Sequence, residues 1–185
     1  MGTLREILVE IVRREFGADD LAAVRTLADG GRDQGSVAPT AGAEVAAFLR
    51  AVADVRGLDP DTVHASFGRH LVAPVFAALP VLAKDQSGTV SLAQSVNQWL
   101  PMVLSALVPG INVPVVDVEL LDLATVRLRF PGSPMLASLV DGVLVGVSEH
   151  FGERINVVRL APRGGVASMC ALEVRLDAER RGAND

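Results

Sequence analysis

Up to about Pro109, apolar residues recur every three or four positions along the chain, and beyond it they recur every two. The first period is that of helices with one buried stripe, the second that of strands with one buried face, so helices should precede a sheet. Leu4, Ile7, Leu8, Ile11 and Val12 form one face of an opening helix that ends near "FGADD". A shorter helix is expected from about Asp20 to Ala28, then a Gly-, Pro- and Ser-rich loop over residues 29–42. Val45, Phe48, Leu49 and Val52 carry the next helix. At residue 60 another begins, because Asp59 can cap it and Pro60 fills the first helical position, where the missing N–H would have been unpaired anyway. Residues 73–88, "APVFAALPVLAKDQSG", are broken by Pro74 and Pro80 and read as a short or kinked helical piece.

Within "SLAQSVNQWLPMVLSALVPGINVP", residues 91–114, Leu92, Val96, Trp99, Leu100, Val103, Leu104 and Leu107 make a helical apolar stripe. Pro101 interrupts that helix. A proline there forfeits the bond to the carbonyl of Asn97 at a cost of about 3 kcal/mol. Then "NVPVVDVELL" and "LATVRLRF" give two strands, the second with Val126, Leu128 and Phe130 on one face and Thr125, Arg127 and Arg129 on the other. A long helix follows, with Ser133 as cap, Pro134 in the first turn and Gly152 as stop. "RINVVRLAP", the turn "RGG" and "SMCALEVRL" make a closing hairpin. The expected class is α+β: an N-terminal helical lobe, then a lobe with a four-stranded antiparallel sheet and one long helix. A single domain over 1–185 is expected, with the first lobe at 1–60, the remaining helices and sheet at 61–176 and a frayed tail at 177–185.

Composition narrows the function classes. Half of the 185 residues are apolar, yet charged residues or glycine interrupt every run well short of the ~20 a bilayer requires. "MGTLREILVEIV" carries Arg5, Glu6 and Glu10 through the would-be apolar region, so it is not a secretory signal. The net charge of −5 and the lack of a basic cluster exclude the electrostatic footprint of a nucleic-acid binder. Cys170 is the one cysteine, so internal disulfides and multi-sulfur zinc sites are excluded, and a reducing, cytoplasmic setting is expected.

Candidate chemistry is sparse. His64 and His70 are six apart, so they do not stack on one helical face, and His150 lies some eighty residues away near a helix C-terminus. No carboxylate brackets them at ligand spacing, and no metal site is expected. Cys170 is in step with the apolar Leu172, Val174 and Leu176 and reads as a core residue. Ser66, Ser95, Ser133 and Ser138 sit in no nucleophile elbow, so no catalytic residue is assigned and an enzyme is not expected.

The order of several phrases resembles the H-NOX family, the heme nitric oxide/oxygen binding domains. The likeness runs from "MGTLREILVEIVRREFGADDL" through "AAFLRAVADVRGLDPDTVHASFGRHLV" and "SVNQWLPMVLSALVPGINVP" to "GVLVGVSEHFGERINV". A Pro-Gly-x-x-x-Pro step is present at Pro109, Gly110 and Pro114. In the family the iron-binding histidine stands eight residues before the first proline of that step, and here that position is Pro101. The Tyr-x-Ser-x-Arg motif that holds the heme propionates falls on Arg129, Phe130, Pro131, Gly132 and Ser133, with none of its three residues kept. The resemblance therefore implies an H-NOX-like sensory domain with no heme cofactor, His70 being the fallback iron ligand.

By the same resemblance Leu4, Leu8, Leu71, Val75, Trp99, Pro101 and Ser138 line the pocket, with Arg129 as partner for a ligand carboxylate. A small apolar ligand, such as a fatty acid, is the expected occupant, and a separate or fused kinase, cyclase or similar output protein the expected partner. The alternatives are a heme gas sensor with a non-standard axial ligand and a ligand-free protein-interaction module. A heme sensor with no tyrosine anywhere in the chain would lack the family's distal oxygen-stabilising donor, and would favour nitric oxide or carbon monoxide.

Overall fold

The structure, a computed structural model, describes residues 4–30, 41–84, 86–107, 113–161 and 169–177. Residues 31–40 of the loop expected over 29–42, the Pro109-Gly110 step, the "RGG" turn and residues 178–185 of the tail lie outside them. The described elements run α1 (Leu4–Phe16), α2 (Ala18–Gly30), α3 (Ala41–Arg56), α4 (Pro60–Ala78), α5 (Val81–Lys84), α6 (Thr89–Gln94), α7 (Val96–Leu107), β1 (Asp117–Asp122), β2 (Thr125–Pro131), α8 (Pro134–His150), β3 (Ile155–Leu160) and β4 (Met169–Leu176). Helices thus precede an α+β unit, as the change of period requires.

The sheet has the order β1-β2-β4-β3 with every neighbouring pair antiparallel. Val126, Leu128 and Phe130 alternate inward and are buried, as are Leu172 and Val174 on β4. Arg127 and Arg129 take the outer face, where β2 pairs with Glu119 and Asp117 of β1 and with Glu173 of β4. β1 begins five residues later than the alternation suggests. Val115 is exposed, and the backbone of Val116 is engaged by the side chain of Asn97 and not by a strand.

Two helix expectations need correction. The piece after residue 73 is not a separate kinked segment: α4 runs on through Pro74 to Ala78. Val72, Val75 and Phe76 on either side of that proline are buried in one cluster with Val147 of α8, and this packing holds a turn that local propensity opposes. The stretch read as one helix from residue 91 is two, α6 and α7, with Ser95 between them. α2 also starts earlier and ends later than Asp20 to Ala28.

The core forms three clusters. One lies among α1 to α4 around Leu8, Val24 and Val52; a second joins the inner sheet face to α6 and α8; a third joins α4 and α8 to α5, α6 and α7. α4 and α8 meet at backbone distance. A Cβ at Gly68 would overlap the carbonyl oxygen of Leu139, and Cβ atoms at Gly142 and Gly146 would overlap those of Ala65 and Arg69. Arg69 bonds Glu149 at 2.6 Å, and Arg159 of β3 bonds Asp141 of α8 at 3.2 Å, fixing the edges of this pair.

Candidate functional site

Between α7 and the inner sheet face lies a cavity of about 210 Å³. All seven residues of the apolar stripe read from the sequence, Leu92 through Leu107, face it. The opposite walls are Leu128 and Phe130 of β2, Leu139, Val140 and Val143 of α8, and Leu71, Val72, Val75 and Phe76 of α4. Among the described residues the wall is apolar throughout. Trp99, the residue on it with a polar side-chain atom, turns its indole Nε1 away to donate to the carbonyl of Leu92 at 3.0 Å.

The cover over this cavity hangs from a few polar bonds. Asn97 Nδ2 donates to the carbonyl of Val116 at 2.6 Å, and Val116 N–H donates back to Asn97 Oδ1 at 2.9 Å, so the amide side chain pairs with backbone as a strand would. Thr89, at the start of α6, donates its N–H to Glu153 at 2.7 Å, across the end of α8. These contacts seat α6 and the first turn of α7, while Val103, Leu104 and Leu107 close the cavity with apolar contact alone.

Of the residues expected to line a pocket, the structure brings together Leu71, Val75 and Trp99. The others go elsewhere. Leu8 is buried in the α1–α4 core, and Leu4 packs against that core and against the cluster of Val72, Val75 and Phe76 without lining the cavity. Ser138 is buried on α8 but donates its hydroxyl to the carbonyl of Pro134 at 3.1 Å. Pro101 is exposed and does not face the cavity. Arg129 points to the outer sheet face, bonded to Asp117 at 2.9 Å and to Glu119 at 2.6 Å, so it is no partner for a ligand carboxylate in the cavity. The same guanidinium holds the Glu119 carboxyl below its ordinary range. Leu139, Val140 and Val143 of α8 and Leu128 and Phe130 of β2 line the cavity without having been expected there, although the alternation along β2 already sets the last two on one face.

The histidines do not converge. His64 is buried and donates Nδ1–H to the carbonyl of Pro60 at 2.7 Å. His70 does the same to Ser66 at 2.9 Å, and its Nε2 stands 3.6 Å from Glu15. It faces a groove between α1 and α4, among Glu6, Glu10 and Arg14, and not the apolar cavity. His150 is exposed, with its ring edge-on to Phe76 and Phe151. Cys170 donates its thiol to the carbonyl of Ser133 at 3.3 Å, and burial pushes its pKa up, away from a reactive thiolate. Among the described residues no group of three or more His, Cys, Asp or Glu side chains is placed to hold a metal ion.

The profile of the Haem-NO-binding family (HNOB) matches residues 1–159. The chain belongs to this family, the H-NOX gas-sensor domains, which are sensors that signal to effector proteins and not enzymes. No curated protein matches it significantly. Among solved structures it is similar to an H-NOX protein from S. oneidensis in the Fe(II)NO ligation state, with a TM-score of 0.76 and 18% identity over 94% of this chain and 97% of that one. It is similar also to an Fe(II) unliganded H-NOX protein from K. algicida, with a TM-score of 0.76 and 12% identity over 94% and 95%. A mutant of the T. Tengcongensis H-NOX gives 0.73 and 13% over 95% and 97%. At these identities the likeness establishes the fold.

A heme needs an axial donor for iron, cations for its propionates and room for the ring. Protein donors to heme iron are His, Cys, Met and Tyr. Among the described residues none of these types faces the cavity, and the chain has no tyrosine. No Lys or Arg faces it either, and its volume is below the 300 Å³ or so at which ordinary cofactor pockets begin. As folded, the cavity residues do not fit a heme. No helix among the described residues is long and apolar enough to cross a membrane.

Proposed function

We propose that this chain is a heme-independent H-NOX sensor domain, in which a small apolar molecule held under α7 takes the place of heme and sets the signal passed to an output protein such as a kinase or cyclase, in the cytoplasm. One observation carries the reading: among the described residues the cavity wall offers neither a donor to iron nor a cation to a carboxylate. A ligand there gains by leaving water and finds nothing polar to pair with. α7 is the natural reporter, because Val103, Leu104 and Leu107 in its last two turns line the cavity while Asn97 fixes its start. A fatty acid loses its supporting argument with Arg129 engaged on the outer face.

A second reading has its own support. Membership of a heme-binding family and a histidine whose Nδ1 is already held by a backbone carbonyl, His70, favour a heme sensor with a displaced ligand. Expression with a heme precursor, followed by a visible spectrum and mass spectrometry of a solvent extract, separates the two. The proposed function predicts a colourless protein that releases an apolar compound. A Soret band at one heme per chain, abolished in His70→Ala, establishes the heme sensor instead. A colourless and empty protein with no affinity for apolar compounds refutes both in favour of an interaction module.

A further inference from the structure

The cavity's size and chemistry specify the ligand more narrowly than the word apolar. Resting on the function proposed above, we infer that the site under α7 takes neutral, ring-sized hydrocarbons, of the class of benzene and its short alkyl derivatives, and rejects carboxylates and long chains. An engineered cavity of about 150 Å³ lined by Leu, Ile and Phe stays dry and binds benzene. The space here is about 210 Å³ and lined likewise by Leu, Val, Phe and Trp, which leaves room for one six-membered ring and a few further carbons.

Neutrality follows from the wall. Trp99 Nε1 is already bonded to Leu92, so a carboxylate or ammonium entering the cavity meets no partner, and ionic groups buried without one are strongly disfavoured. Length is limited by the two packed sides. The α4–α8 pair cannot retreat, since Gly68 and Gly142 already lie against the backbone of the facing helix, and Val126, Leu172 and Val174 fill the inner sheet face beside Leu128 and Phe130. A molecule longer than the cavity must therefore displace α7.

The test is a thermal-melting series on the full chain with benzene, toluene, propylbenzene, naphthalene, benzoate and palmitate, beside the variants Val140→Phe and Leu104→Trp, each of which places a larger side chain in the cavity. Benzene and its alkyl derivatives should raise the midpoint by about 3 °C or more at ten times their Kd. Benzoate and palmitate should not, and either folded variant should lose the benzene shift at least tenfold in affinity. Two variants from different walls are used, so that one failing to fold leaves the other to report. A shift with palmitate but none with benzene overturns the ring-sized class while leaving a heme-independent apolar sensor standing. A benzene shift unchanged in both variants overturns the site. No shift with any probe, together with tight binding of added hemin, overturns this inference and the proposed function together.

Discussion

The two flanks of α8 solve the packing problem in opposite ways. Against α4 it brings glycines to carbonyl oxygens, so that no space remains for even a methyl group. Toward α7 its Leu139, Val140 and Val143 line the cavity. Interiors are ordinarily packed to the density of organic crystals, and a fold that achieves this along one flank of a helix can achieve it along the other. The contrast is between close packing and a cavity: an unyielding two-helix spine backs a space whose cover is seated by a few side-chain bonds.

Changes that attack this contrast should differ in size. Gly142→Ala forces a Cβ into the Ala65 carbonyl, with backbone on both sides and no flexible side chain to yield. It should cost roughly 3 to 5 kcal/mol in denaturant unfolding. Pro101→Ala should act in the other direction. Pro101 is exposed, so its removal loses little packing and restores the bond to Asn97, raising stability by about 2 to 3 kcal/mol. If stability falls instead, the proline has a contact that its exposure does not reveal.

Asn97→Ala strips the buried Val116 backbone of both partners and should cost roughly 2 kcal/mol. Amide exchange should quicken in α7 and stay slow in the α4–α8 pair, and uniform quickening would deny that the two flanks are separable. The smallest effect is at the outer sheet face. The Glu119 carboxyl is held below its ordinary value, near 4.5, by the bond to Arg129 and by Arg127, so its contribution is present above that value and is lost as pH falls through the depressed one. Glu119→Gln should flatten the acid limb of a pH–stability curve, while melting near neutral pH moves little because the pairs are partly exposed.

Much of this was legible in the sequence. The change of period placed the sheet, and Asp59-Pro60 and Ser133-Pro134 marked the starts of α4 and α8, where both caps form as expected. Every residue of the seven-residue stripe from Leu92 to Leu107 lies on the cavity wall, although in the sequence it marks only a core-facing side of a helix. The errors came from carrying a pocket over by resemblance. Pro101 was placed inside because a histidine stands there in the family, although the stripe of this chain runs through Trp99, Leu100, Val103 and Leu104 and leaves residue 101 outside it. Arg129 was assigned to a ligand because the family keeps a polar anchor in that window, although alternation with the buried Leu128 and Phe130 had already turned it to the outer face. What periodicity could not supply was distance between elements. Neither the contact of Gly68 and Gly142 with carbonyls nor the gap opposite them leaves a mark in one sequence.

The central claim is that a neutral apolar ligand enters one defined space under α7. Its most direct test is the methyl ¹H–¹³C spectrum of Leu- and Val-labelled protein titrated with benzene. Shifts confined to Leu92, Val103, Leu128 and Val140, with Leu8, Val24 and Val52 of the α1–α4 core unmoved, are the predicted result. A spectrum unchanged at saturating benzene, or shifts centred on the α1–α4 core, would contradict it.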